Sequence, residues 1–175
     1  MKTFKELRTY LTEGNPLSRV ASFKGHSAIF SPERKHLTPK ENAARMKELK
    51  GELRNRGFGF RKTKGKWDEG GGVGSENSLH VFARGTSDEH GKELLKHVHE
   101  LSTKYDQDAY IHRTPDGKGT AIYTGTARKG EKDEYGPTRY GQGDLGAPRN
   151  PYGETEYQLR RPEKKRRRIT FMPKD

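Results

Sequence analysis

The sequence predicts an α+β fold in which two helices pack on one face of an antiparallel sheet. Capping signals followed by apolar stripes at helical spacing occur twice between residues 27 and 125. Short alternating or wholly apolar runs bounded by turn residues lie between and beside them, as strands do. At 175 residues, with 27% hydrophobic and 34% charged side chains, the chain can fill one modest core and not two.

Taken in order, the chain opens with a leader over residues 1–13. Thr3 and Glu6 form a capping box, Phe4, Leu7 and Leu11 share a face, and Gly14 ends the helix. Residues 14–26 carry Gly, Asn, Pro and Ser and read as a linker. Ser27-Ala28-Ile29-Phe30 is a first strand, stopped by Ser31-Pro32. Thr38, Pro39 and Glu41 then start a helix with an N-cap, an N1 proline and a capping box. Met46, Leu49 and Leu53 form its stripe, with Asn42 one turn earlier, and Gly57 stops it. Phe58-Gly59-Phe60 begins a strand. Gly70-Gly71-Gly72 reads as a hairpin loop, and Leu79 to Ala83 as the returning strand. Thr86-Ser87-Asp88-Glu89 is a further capping box, ahead of Leu94, Val98, Leu101 and Tyr105 on one helical face. Asp108 to His112 alternates, Thr114-Pro115-Asp116-Gly117 turns, and Thr120 to Thr124 returns. This is the ferredoxin-like βαββαβ order with an extra strand. Helices are expected near 38–56 and 87–104, with Met46, Leu49, Leu53, Leu79, Val81, Leu94, Val98, Leu101 and Ile111 buried. Residues 126–159, rich in Gly, Pro, Arg and Asp, read as an irregular arm and 160–175 as a basic tail.

The chain has no cysteine, which excludes disulfides and thiolate metal sites and suggests an intracellular protein. No apolar run approaches the roughly 20 residues of a membrane span, and the N-terminus lacks a secretory apolar region. The net charge of +12 calls for a polyanionic partner, most economically nucleic acid. The densest charge lies in the tail. Arg160, Arg161, Lys164, Lys165, Arg166, Arg167 and Arg168 stand against Glu163 alone, a density suited to sequence-independent DNA binding.

Two resemblances add to this. Met1 to Leu7, with Leu11-Thr12-Glu13-Gly14, resembles the capsid-targeting leader of internal head proteins in large tailed bacteriophages. That resemblance implies a place in the phage head interior after assembly in the bacterial host cytoplasm. It also implies contact with the prohead scaffold or maturation protease, and cleavage between Glu13 and Gly14. Residues 27–125 resemble the domain of unknown function 3293 family. The resemblance rests on Leu37-Thr38-Pro39-Lys40-Glu41-Asn42 with Arg45, on Gly65-Lys66-Trp67-Asp68-Glu69, and on Glu76-Asn77-Ser78-Leu79. It continues in Tyr105-Asp106-Gln107-Asp108-Ala109, where Asp106 stands in place of the family's glycine. It implies a compact α+β domain and names no reaction.

Asn42, Arg45, Glu76, Ser78 and Gln107 are candidate catalytic residues, polar groups at element ends where a cleft could gather them. Glu76 would be the general base and Arg45 the anion holder, or all five serve as structural ties. His90, His97 and His99 share a helix but do not converge, so no metal is expected, and no cofactor motif is present. Arg56-Gly57-Phe58-Gly59-Phe60 matches the start of the RNA-recognition octamer, which makes Phe58 and Phe60 candidate base-stacking residues. Against this, the copy falls on the second strand rather than the third. The preferred reading is a virion-packaged protein binding DNA non-specifically through its basic tail. The alternatives are a small enzyme or host-directed effector on the same fold, and an RNA-recognition-like module.

Overall fold

The computed structural model describes residues 23–68, 73–142, 154–157 and 167–171, with side chains over 23–65 and 75–134. The leader, with Glu13 and Gly14, lies outside the described residues, as do Arg160, Arg161, Lys164, Lys165 and Arg166.

Local signals set the first helix, α1 (Pro39–Asn55). The Thr38 hydroxyl accepts from the Glu41 amide at 3.3 Å while the Glu41 carboxylate accepts from the Thr38 amide at 2.8 Å, a complete capping box. At the other end Gly57 has φ +77°, Phe58 N–H donates to the Leu53 carbonyl and Gly57 N–H to that of Arg54, each at 2.9 Å. These two bonds make the Schellman motif. The second helix, α2 (Asp88–Lys104), is capped by Ser87, whose hydroxyl accepts from the His90 amide at 3.3 Å. Its third helical residue is His90 rather than an acid, so the reciprocal half of the expected box is missing. It too ends in a Schellman motif: Gln107 N–H donates to Ser102 and Asp106 N–H to Thr103. Asp106 takes the left-handed position with φ +55°, which a short polar side chain tolerates better than most.

Between these helices run β1 (Ser27–Phe30), β2 (Gly59–Asp68), β3 (Val73–Phe82), β4 (Ala109–Arg113) and β5 (Lys118–Tyr123). The order β4-β1-β3-β2 has every neighbouring pair antiparallel, as the split βαβ arrangement requires. β5 pairs with β4, and β6 (Lys132–Gln142) pairs with β5, giving a six-stranded antiparallel sheet. β6 runs through part of the stretch expected to be an irregular arm. Its Gly and Pro argue against a strand, and pairing with β5 overrides that local preference, with a register shift between Lys118 and Thr120 of β5. Two short strands, β7 (Glu154–Tyr157) and β8 (Arg167–Phe171), pair with β2, with β6 and with each other and close the sheet into a barrel. Arg167 and Arg168 of the basic tail are thus the first residues of a paired strand.

Both helices bury their stripes in one core on one face of the sheet. Met46, Leu49 and Leu53 of α1 and Leu94, Val98 and Leu101 of α2 meet there. Ala28, Phe30, Leu79, Val81 and Tyr110 come from the strands. In β4 the expected phase is reversed. Tyr110 is the core residue at 3% exposure, and Ile111, expected there, is half-buried on the far face. Alternation also places Ser27, Thr63, His80 and Arg113 on the far face, each 4% exposed or less. Closure of the sheet on itself accounts for burial on the side that carries no helix.

Candidate nucleic-acid interface

The charges of α1 are sorted by side. Of its three carboxylates, Glu41 is spent on the cap. Glu48 and Glu52 point toward α2, where Lys104 reaches them at 3.1 and 2.6 Å, and Arg56 adds a contact to Glu52 at 3.7 Å. Lys47, Lys50 and Arg54 recur at helical spacing on the opposite side and have no carboxylate partner among the described residues. The strand beside them continues the pattern. Phe58 and Phe60 alternate toward the helices, and two residues further on Lys62 takes the same face, where it meets Lys50. Between α1 and the β2–β3 hairpin lies a groove of about 770 Å³. Its cations are Lys47, Lys50, Arg54 and Lys62, and its apolar wall is Leu37, Pro39, Ala43 and Met46. The acid at its margin, Glu33, is already engaged by the backbone and side-chain amides of Asn77 at 2.8 and 2.7 Å.

This lining leaves a mark on Lys50. Partial burial, then the neighbouring Lys62, then Arg54 hold its ammonium down at about 8. Two like charges facing one another in a half-enclosed groove disfavour their own protonation, and an anion placed between them reverses that. Residues 23–65 carry twelve Lys and Arg against four Asp and Glu, whereas 75–134 carry nine against eleven. The positive excess of the described domain therefore lies in the half that forms this groove.

The residues expected to be catalytic gather around the loop after β1, where most serve as ties. Asn42 accepts from the Arg34 amide at 2.9 Å and donates to the Arg34 carbonyl at 3.0 Å. Arg45 donates to the Pro32 and Tyr105 carbonyls and stacks over the Tyr105 ring at 5.3 Å. Gln107 donates to the Glu33 carbonyl at 3.1 Å. The hydrogen-bonding nitrogens of Arg45 are thus taken by backbone, and the cation among the neighbouring acids is Arg34, 3.2 Å from Asp108 and 3.6 Å from Asp106. Ser78 is 3% exposed. Glu76 is the exception. Burial, and then the carboxylates of Glu33 and Asp108, push its carboxyl up to about 7 against the Ser31 hydroxyl and Arg34.

No family model matches this chain, and no curated protein does. The interface therefore rests on its own chemistry.

The two proposed stacking aromatics part company. Phe58 is 3% exposed, sits in the core and has Arg84 over its ring at 4.9 Å, so its face is not open to a base. Phe60 is half-buried with Arg54 over it at 5.4 Å, at the edge of the cationic groove. His97 lies beside Arg56 and His99 against Tyr110, and no group of three His, Cys, Asp or Glu side chains suited to a metal occurs among the described residues. Sequence reasoning missed the groove although its parts were in view. Lys47, Lys50 and Arg54 are visibly one face, but that Lys62 faces them depends on how β2 lies against α1.

Proposed function

We propose that the protein is a non-specific nucleic-acid binder, packaged in a phage head, that holds its partner with the α1–β2 cations as well as with its basic tail. The observation that carries this reading is the row Lys47, Lys50 and Arg54 of α1 with Lys62 of β2, none with a carboxylate partner among the described residues, while Glu48 and Glu52 of α1 are engaged toward α2. Cations without a carboxylate partner among the described residues are available to displace counterions from phosphates, and the net charge of +12 supplies long-range attraction.

The test is a salt titration of duplex binding by the full chain. Each neutralised phosphate contributes about −0.9 to the slope of log K against log salt. Replacing Arg160, Arg161, Lys164, Lys165 and Arg166 by Gln leaves β8 intact and should flatten the slope by about 4. Replacing the four groove cations by Gln should flatten it by about 2 to 3. An unchanged slope in both variants would remove the nucleic-acid reading.

Packaging is supported by the leader's resemblance alone and has its own measurement. Mass spectrometry of purified particles should find this protein beginning at Gly14. Absence from particles rejects packaging, and a retained Met1 rejects the cleavage.

A further inference from the structure

We propose that the α1–β2 groove is a site for one phosphorylated nucleoside, with its phosphate between Lys50 and Lys62 and its base and sugar along the wall of Leu37, Pro39, Ala43 and Met46. This deepens the nucleic-acid reading and rests on it insofar as the nucleotide is one unit of a single strand. A free nucleotide offers the same chemistry.

Three observations carry the assignment. The groove, at about 770 Å³, has the size of a small-molecule site rather than of a flat electrostatic surface. Its lining is divided, with cations toward the C-terminal half of α1 and apolar residues toward its start. Ala43 lies two turns before Lys50, about 10 Å along the axis, which leaves room for a base and sugar between wall and ammonium pair. Finally, Lys50 and Lys62 project from the middle of a helix and of a strand and meet with no carboxylate between them among the described residues. A bridging phosphate satisfies both, with charge-assisted hydrogen bonds that water does not replace.

The divided lining also discriminates between nucleic acids. A duplex keeps its bases paired and stacked and presents only phosphate and sugar to the wall. A single strand can turn a base out against the apolar wall.

The experiment uses the full chain and titration calorimetry with a nucleoside monophosphate, the parent nucleoside and inorganic phosphate. Fluorescence anisotropy with a 12-nucleotide single strand and the matching duplex runs in parallel. Lys50→Gln and Lys62→Gln leave the core untouched, and Ala43→Glu sets a carboxylate in the exposed part of the wall. Lys92→Gln with Lys96→Gln on α2 is the control for lost charge. The nucleotide should bind at least tenfold tighter than nucleoside or phosphate. Each groove variant should weaken nucleotide and single strand about tenfold, and duplex and control less than threefold. Nucleotide bound with this pattern but neither strand nor duplex would keep the site and reject the nucleic-acid reading. Equal weakening of single strand and duplex, or phosphate bound as tightly as nucleotide, would leave a merely cationic surface and overturn the site. Binding that is indifferent to Lys50 and Lys62 would overturn it as well.

Discussion

Leu49→Ala should lower the stability of the domain by about 3–4 kcal/mol, with an unchanged denaturant dependence. Leu49 is fully buried in the middle of α1, in the cluster that also holds the α2 stripe and the apolar residues of β1 and β3. Truncation removes the transfer free energy of three heavy atoms. It also leaves a cavity that α1 cannot easily close, because its two ends are tied, by the capping box at one and the Schellman motif at the other. Small domains are stable by about 5–15 kcal/mol, and with 27% hydrophobic residues this chain belongs toward the lower end. One substitution would then take away a third or more of the total. Phe60→Ala, half-buried at the margin of the same core, is the internal comparison and should cost less. Urea denaturation followed by circular dichroism reads both, and a Leu49→Ala loss under about 1 kcal/mol would show that this core is not what holds the helices to the sheet.

Acid should destabilise the protein most steeply below pH 4.5, because the buried His80 and the half-buried Glu76 act in opposite senses. His80 is fully buried, and burial followed by the charge of Arg113 pulls its ring down to about 3. Its folded value lies below its unfolded value near 6.5, so the neutral ring is the stabilising form. That contribution is complete above about pH 6.5 and is lost as pH falls toward 3, on the order of 3–5 kcal/mol from about 1.4 per unit. Glu76 runs the other way. Its folded value, about 7, exceeds its unfolded value, so its contribution is complete below about pH 4.5 and is lost as pH rises through 7. Between about pH 6.5 and 4.5 the His80 and Glu76 changes offset one another while His112, held down at about 4, adds its own loss, and below 4.5 the histidine losses stand without that offset. Glu76→Gln should therefore raise stability by about 2 kcal/mol at pH 8 and leave it unchanged at pH 4. Urea midpoints across pH 3–8, with NMR titration of the His80 ring, decide it. A His80 ring that protonates above pH 5, or a Glu76→Gln gain that persists at pH 4, would contradict the assignment.

The helices were legible because each carries its own boundaries. Thr38, Pro39, Glu41 and Gly57 act over a few residues, and the stripe of Met46, Leu49 and Leu53 points to the core whatever surrounds it. The order β4-β1-β3-β2 followed from the element sequence, since few arrangements bury two helices on one antiparallel sheet. Non-local choices were not legible. Tyr110 and Ile111 both suit a strand, and only closure of the barrel decides which of the two faces the helices. Residues 132–142 look irregular alone and become β6 by pairing with β5. For the candidate site, Asn42, Arg45 and Gln107, placed at element ends by the sequence, meet around the loop after β1. A short sequence cannot show whether a polar side chain there meets a ligand or a backbone carbonyl, and in these three it meets carbonyls.

If the protein binds nucleic acid as proposed, the sorting of charge on α1 bears on how it arrives at that partner as well as on how it holds it. Glu48 and Glu52 are paired with cations on one flank while Lys47, Lys50 and Arg54 have no carboxylate partner among the described residues on the other, so the helix carries a lateral electric moment across its axis. The field of a polyanion exerts a torque on that moment, turning the groove toward it before any contact forms. A larger fraction of diffusional encounters is then productive, and the gain fades as added salt shortens the range of the field.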